Sequence, residues 1–110
     1  MDQRASAPLT WTPELVCTRM VEAFREHPLG LDERARAAEV LTWPALHLLA
    51  LPDERDALLW WAKWKARGLS IREQCKARGW SRVTFMRRKN RACEVIAGEL
   101  NGSGSRHARP

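Results

Sequence analysis

The sequence has no tyrosine, no long apolar run and no paired cysteines. Nothing in it approaches the ~20 consecutive apolar residues that cross a bilayer. The opening MDQRASAPLT lacks the apolar stretch of a secretory signal, so the expectation is a cytoplasmic protein with no membrane partner. The three cysteines, Cys17, Cys75 and Cys93, are odd in number and far apart, with no CxxC pair. That argues against a disulfide framework or a structural zinc site and for free thiols in a reducing compartment. No HExxH, GxSxG or GxxxxGK[S/T] pattern is present, and His27, His47 and His107 are scattered. No catalytic constellation, metal site or cofactor is therefore expected, and the chain reads as a binding protein rather than an enzyme. An RNP-type aromatic strand motif and a GxxG clamp are also missing, against the common RNA-binding modules.

What the chain does have is tryptophan and unevenly placed charge. Six tryptophans stand in 110 residues: Trp11, Trp43, Trp60, Trp61, Trp64 and Trp80. Large aromatic side chains at that density must supply much of a modest core. Trp60 and Trp61 are adjacent, and successive helical residues point about 100° apart, so one of the two is a candidate for exposure. Tryptophans interleaved with Lys63 also resemble a base-stacking platform, but a core role is the favoured reading. The formal charge is +6 overall. Residues 1–55 carry six basic and nine acidic side chains, a net of −3, whereas residues 56–110 carry thirteen and four, a net of +9. Such asymmetry points to a polyanionic partner for the second half alone.

Hydrophobic spacing and caps predict an all-α fold. Thr12-Pro13-Glu14 opens a helix with Leu15, Val16, Met20 and Phe24 on one face, ending near Glu26 before the break His27-Pro28-Leu29-Gly30. Asp32 is the cap candidate of a second helix that runs to about Leu41, where Trp43-Pro44 interrupts it. Residues 45–51 are a short apolar run that pattern alone does not classify. Pro52-Asp53 opens a third helix, Asp53 being its cap candidate, which Gly68 ends. Ser70-Ile71-Arg72-Glu73 is a capping box. The short helix it opens stops at Gly79, and Ser81 caps a long helix from Arg82 to about Leu100, with Phe85, Ala92, Val95, Ile96 and Leu100 at helical spacing. The domain plan is a disordered tail over 1–10, helical support and a possible dimer surface over 11–51, a helix-turn-helix over 52–101, and a disordered tail over 102–110.

The last two helices, joined by Arg78-Gly79-Trp80-Ser81, have the form of a helix-turn-helix. Glycine takes the left-handed conformation that stops the first helix, Trp80 is expected to drop into the core, and Ser81 opens the second helix. From Lys76 to Arg91 stand seven basic side chains and no acidic one: Lys76, Arg78, Arg82, Arg87, Arg88, Lys89 and Arg91. Phosphates attract such a surface through counterion release. A recognition helix sets its N-terminal side chains against base edges in the major groove. Arg82 is the candidate for a bidentate pair with guanine. Thr84 and Met86 are candidates for a thymine methyl or a phosphate, and Arg87, Arg88 and Arg91 for the backbone. The DNA-binding set is thus Lys76, Arg78, Ser81, Arg82, Thr84, Arg87, Arg88 and Arg91.

The stretch GLSIREQCKARGWSRVTFMRRKNRACEVIAGELNG resembles the C-terminal half of a little-characterised helix-turn-helix family of alphaproteobacteria and their phages and prophages. That family is in turn similar to the DNA-binding region 4 of sigma factors. The resemblance rests on Gly79, Ser81, Arg82 and Thr84 in the turn, the Arg87-Arg88 pair, and the ending Ile96-Ala97 with Leu100-Asn101. Trp11 to Val16 and Trp43-Pro44 are similar as well. It implies binding to double-stranded DNA in a bacterial or phage setting, as a transcriptional regulator. Two departures stand out: apolar places of the usual motif hold Gln74 and Arg78 before the turn, and Arg88 or Lys89 after it. A small-terminase-like packaging factor and a protein-interaction adaptor are the alternatives. Packaging factors usually carry the motif at the N-terminus and form rings, so a dimer is expected ahead of a ring.

Overall fold

The computed structural model describes residues 10–25 and 30–108, the last six of them by backbone alone. Among these residues the chain forms five α-helices and no strand: α1 Pro13–Phe24, α2 Leu31–His47, α3 Pro52–Ala66, α4 Ile71–Arg78 and α5 Arg82–Ala108. The all-α architecture is the one that the spacing of apolar residues predicts. The tail expected over 1–10 lies outside the described residues except for Thr10, as do His27 to Leu29 of the expected break.

Local chemistry explains the helix starts. The Thr12 hydroxyl accepts the Leu15 N–H at 3.1 Å, and Pro13 fills the first helical position, where a missing N–H costs nothing. The helix stops at Phe24, slightly before Glu26, with Arg25 extended. Helix α2 begins after Gly30, so Asp32 is in its first turn rather than at the cap, and its carboxylate faces the positive end of the dipole. Asp53 stands likewise in the first turn of α3, behind Leu51 and Pro52.

Trp43-Pro44 does not interrupt α2, contrary to the sequence-based expectation: the helix runs through to His47. Proline here removes one backbone hydrogen bond, but both residues are buried. Trp43 meets the edge of the Trp11 ring with centroids 5.2 Å apart and planes at 84°. Tertiary burial of this pair outweighs the local preference against helix.

The core lies where α1, α3 and α5 meet, with α2 closing one side. Val16 and Met20 of α1, Leu58 of α3 and Ile96 of α5 are fully enclosed. Phe85, Ala92 and Ile96 are buried as their spacing predicts, whereas Val95 and Leu100 are half-buried at the edge. The helix continues past Leu100 to Ala108, which replaces the tail expected over 102–110 by helix as far as residue 108. Asn101 explains why it does not end the helix. Its side chain receives the Trp11 N–H at 2.8 Å and donates back to the Trp11 carbonyl at 2.9 Å. An asparagine so engaged has no side chain free to cap its own backbone.

Two glycines shape the approach to the last helices. Gly68 and Gly79 have φ of 72° and 69°. After α3, Leu69 N–H reaches the Trp64 carbonyl at 2.9 Å and Gly68 N–H the Lys65 carbonyl at 3.1 Å. After α4, Trp80 N–H reaches the Cys75 carbonyl at 2.9 Å and Gly79 N–H the Lys76 carbonyl at 3.2 Å. Both are Schellman endings. A methyl group on Gly79 would meet nothing within 4 Å, so Gly79→Ala pays only the left-handed backbone penalty. We expect it to lower stability by about 1 kcal/mol, read as a lower urea midpoint with unchanged slope. An unchanged midpoint would contradict this account of the turn.

Candidate nucleic-acid interface

Helices α4 and α5 are joined by only Gly79, Trp80 and Ser81. Ser70 opens α4 by accepting the Glu73 N–H at 3.1 Å, as the capping box predicts. Ser81 opens α5 by accepting the Thr84 N–H at 3.2 Å. The tight ending of α4 and the cap of α5 together fix where the first turn of α5 is presented. Arg82 and Val83 in that turn are exposed and Thr84 is half-buried.

The turn rests on a stack of aromatic rings. Trp64 of α3 is buried and lies 5.3 Å from Phe85 of α5 and 6.1 Å from Trp80, and Trp80 lies 5.9 Å from Phe85. Trp80 does not drop into the core as expected; it remains 42% exposed. The left-handed turn at Gly79 sets the ring across the outside of Phe85, so the turn is held by stacking rather than by insertion. Of the adjacent pair, Trp61 is buried and Trp60 is the partly exposed one.

Arg78 explains one departure from the usual pattern. Its guanidinium carbon lies 4.8 Å from the Trp64 ring centroid, 5.5 Å from Trp60 and 5.7 Å from Trp80. One of its nitrogens also donates to the Gln74 carbonyl and side-chain oxygen at 3.2 and 2.8 Å. A cation over three indole faces occupies the place where an aliphatic residue is usual, and it does so by cation–π attraction. Lys89 explains the other. It is buried, with Nζ 4.3 Å above the Trp61 ring, so its stem fills an apolar slot while its charge is held by an aromatic face.

The remaining cations divide by their position around α5. Arg82, Arg87 and Arg91 line a shallow surface trough with Val83, Met86 and Asn90, and Glu94 marks its far end. Arg88 sits on the opposite flank, at a depression shared with Asp53, Asp56, Trp60, Trp80, Ser81 and Thr84. Lys76 is exposed on α4. Among the described residues no carboxylate lies within ion-pair distance of Arg82, Arg87, Arg88 or Arg91; the ion pairs are Arg19 with Glu22, Arg55 with Asp56, and His47 with Glu99. His47 Nδ1 lies 3.8 Å from the Glu99 carboxylate. The structure thus sets Arg82, Arg87 and Arg91 on the borders of one exposed trough, a basic stripe that winds about half-way around α5, places Ser81, Thr84 and Arg88 together on another flank, and turns Arg78 toward the tryptophans.

Sequence reasoning missed the ring-bound roles of Arg78 and Lys89, because each requires partners from α3 whose distance no local pattern reveals. It also missed that Cys17 and Cys93 meet, 76 positions apart. Among the described residues no group of three or more histidines, cysteines or carboxylates is arranged to hold a metal ion, and no helix is long and apolar enough to cross a membrane.

The described residues form a small all-helical fold in which a basic exposed surface follows a tight turn between two helices. Comparison with known proteins adds no relative: no family model matches the chain, and neither curated proteins nor solved structures give a match.

Proposed function

We propose that the protein binds double-stranded DNA, with α5 as the recognition helix, and acts as a transcriptional regulator. The observation that carries this reading is the stripe of Arg82, Arg87 and Arg91, exposed and without a carboxylate partner among the described residues, running from the capped first turn of α5. An α-helix fits the major groove, and its first turn reaches deepest. In that pose Arg82 faces base edges, Val83 and Met86 offer apolar contacts to thymine methyls, and Arg87 and Arg91 lie along the phosphates. The helix N-terminus at Ser81 adds a partial positive charge where a phosphate would approach. Arg88 and Lys76 extend the positive field to either side.

The reading is tested by fluorescence anisotropy with a pool of random duplexes across a salt titration. We expect micromolar or tighter binding at low salt. Three to five phosphate contacts give a log–log salt slope of roughly −3 to −4.5. Sequencing the retained duplexes should return a motif containing guanine, and Arg82→Ala should relax that position by about 1–3 kcal/mol. Absence of binding at low salt would sink the proposal and turn attention to the partly exposed Trp60 face as a protein contact.

A further inference from the structure

Beside the basic stripe, across Asn90 and Glu94, three reactive groups converge where α1 packs against α5. Cys17 Sγ of α1 lies 2.8 Å from Cys93 Sγ of α5, and Lys89 Nζ lies 3.7 Å from Cys17 Sγ. Cys93 is fully buried and Cys17 is half-buried. A surface cavity of about 390 Å³ is lined by Cys17 and Cys93 together with Pro13, Glu14, Lys89, Asn90 and Glu94. That space admits a small solute to Cys17. We propose that Cys17 and Cys93 are a redox pair that closes to a disulfide on exposure to hydrogen peroxide, Cys17 taking the oxidant, Cys93 resolving it, and Lys89 positioning the Cys17 thiolate.

The asymmetry of the site assigns the roles. With Cys17 ionised, the Cys93 S–H donates to its sulfur. This bond, against the opposing burial and helped by the Lys89 charge and N–H, brings the Cys17 thiol down to about 7; Glu14 acts weakly the other way. The same bond, together with burial, holds Cys93 protonated. The thiolate is the nucleophilic form. Its sulfur attacks one oxygen of hydrogen peroxide: an S–O bond forms, the O–O bond breaks, and the departing hydroxide takes a proton to become water. Cys17 is then a neutral sulfenic acid, and the charge that held the Cys93 proton is gone. Cys93 gives up its proton and attacks the Cys17 sulfur: the S–S bond forms, the S–O bond breaks, and hydroxide leaves with that proton as a second water. Two thiols and one peroxide thus yield one disulfide and two waters, the two sulfurs being oxidised by two electrons and the peroxide reduced by two.

Cys75 provides an internal control. It is buried beneath the turn, and burial pushes its thiol up. The test treats the reduced full-length protein with a small excess of hydrogen peroxide, denatures it in maleimide, and maps it by mass spectrometry. The expected product has lost two hydrogens, takes up one maleimide at Cys75, and gives a Cys17–Cys93 cross-linked peptide that a thiol reductant releases. Cys75→Ser should keep the cross-link and Cys17→Ser should lose it. Three maleimides after peroxide, or oxygen added at Cys17 without a cross-link, would overturn the pair. The role of Lys89 is read separately from the rate of Cys17 alkylation against pH. Half-titration near pH 7 is expected in the native protein. With Lys89→Met the rate at pH 7 should fall by about twofold or more, and with Lys89→Arg it should be largely kept. Half-titration at or above the ordinary thiol range in the native protein would remove Lys89 from the proposal even if the variants do not fold. Both readouts are independent of DNA, so they fail or succeed apart from the proposed function.

Discussion

Replacing Trp64 by alanine should lower the free energy of unfolding by about 4 kcal/mol, the largest loss expected of any exchange in the second half of the chain. Trp64 is nearly fully buried, and its ring is where α3, α4 and α5 are joined. It packs on Phe85 and Trp80 and tilts against Trp60 at 5.6 Å. It is the ring nearest to the Arg78 guanidinium. Its carbonyl also accepts the Leu69 N–H that ends α3, a bond that the substitution leaves in place. The loss therefore combines the apolar area of an indole, the cavity left behind and the release of Arg78 from its strongest ring partner. Domains of this size have only 5–15 kcal/mol in total, so the variant should be marginal at 37 °C. Equilibrium urea unfolding measures it; a loss below about 1.5 kcal/mol would show that Trp80 and Phe85 hold the turn without it. Trp64→Phe, which keeps a ring against Phe85, should recover about half.

Removing the stripe should have an equally large effect on binding and almost none on the fold. For Arg82→Ala/Arg87→Ala/Arg91→Ala we expect a loss of affinity for duplex DNA of roughly a hundredfold or more near 0.1 M salt. We also expect a log–log salt slope shallower by about 0.9 for each phosphate contact removed. All three side chains are exposed, and among the described residues none has an ion-pair partner, so stability should change by no more than about 0.5 kcal/mol each. Arg88→Ala is the informative comparison. Its neighbours Asp53 and Asp56 share its depression, and their charge opposes a phosphate there, so its loss should matter less than any member of the stripe. If Arg88→Ala weakens binding as much as the triple variant does, the DNA lies across the α3 side instead, and the assignment of the recognition face is wrong.

What the sequence made legible follows the range of the forces involved. Short-range chemistry was readable: the Thr12, Ser70 and Ser81 caps, the glycine turns at 68 and 79, and the apolar spacing of α5 all depend on residues within one or two turns of one another. The crowding of positive charge after Lys76 was readable too, because it is compositional. Apart from the caps assigned to Asp32 and Asp53, which stand in the first turn instead, the misreadings arose where a distant partner decides the outcome. Pro44 sits inside a helix because Trp43 finds Trp11. Asn101 stays helical because it binds the backbone of Trp11. Trp80 stacks outside rather than inserting because Phe85 and Trp64 already fill the space beneath. In the basic region, charge counting says nothing of side-chain partners: two of the seven cations from Lys76 to Arg91, Arg78 and Lys89, sit over indole rings. Position around α5 separates the rest, but only a packed α3 shows which flank carries the acidic neighbours.

The reciprocal bonding of Trp11 with Asn101 joins residues 90 positions apart. The two ends of the packed body are therefore side by side, and the chain between them is a nearly closed circuit. A body with adjoining ends has no privileged starting point, which is why such folds accept circular permutation. A linker from Asn101 back to Trp11, with new ends opened in the turn after His47, would preserve the order of contacts around the core. It would then deliver the turn and α5 to the middle of the chain instead of its end.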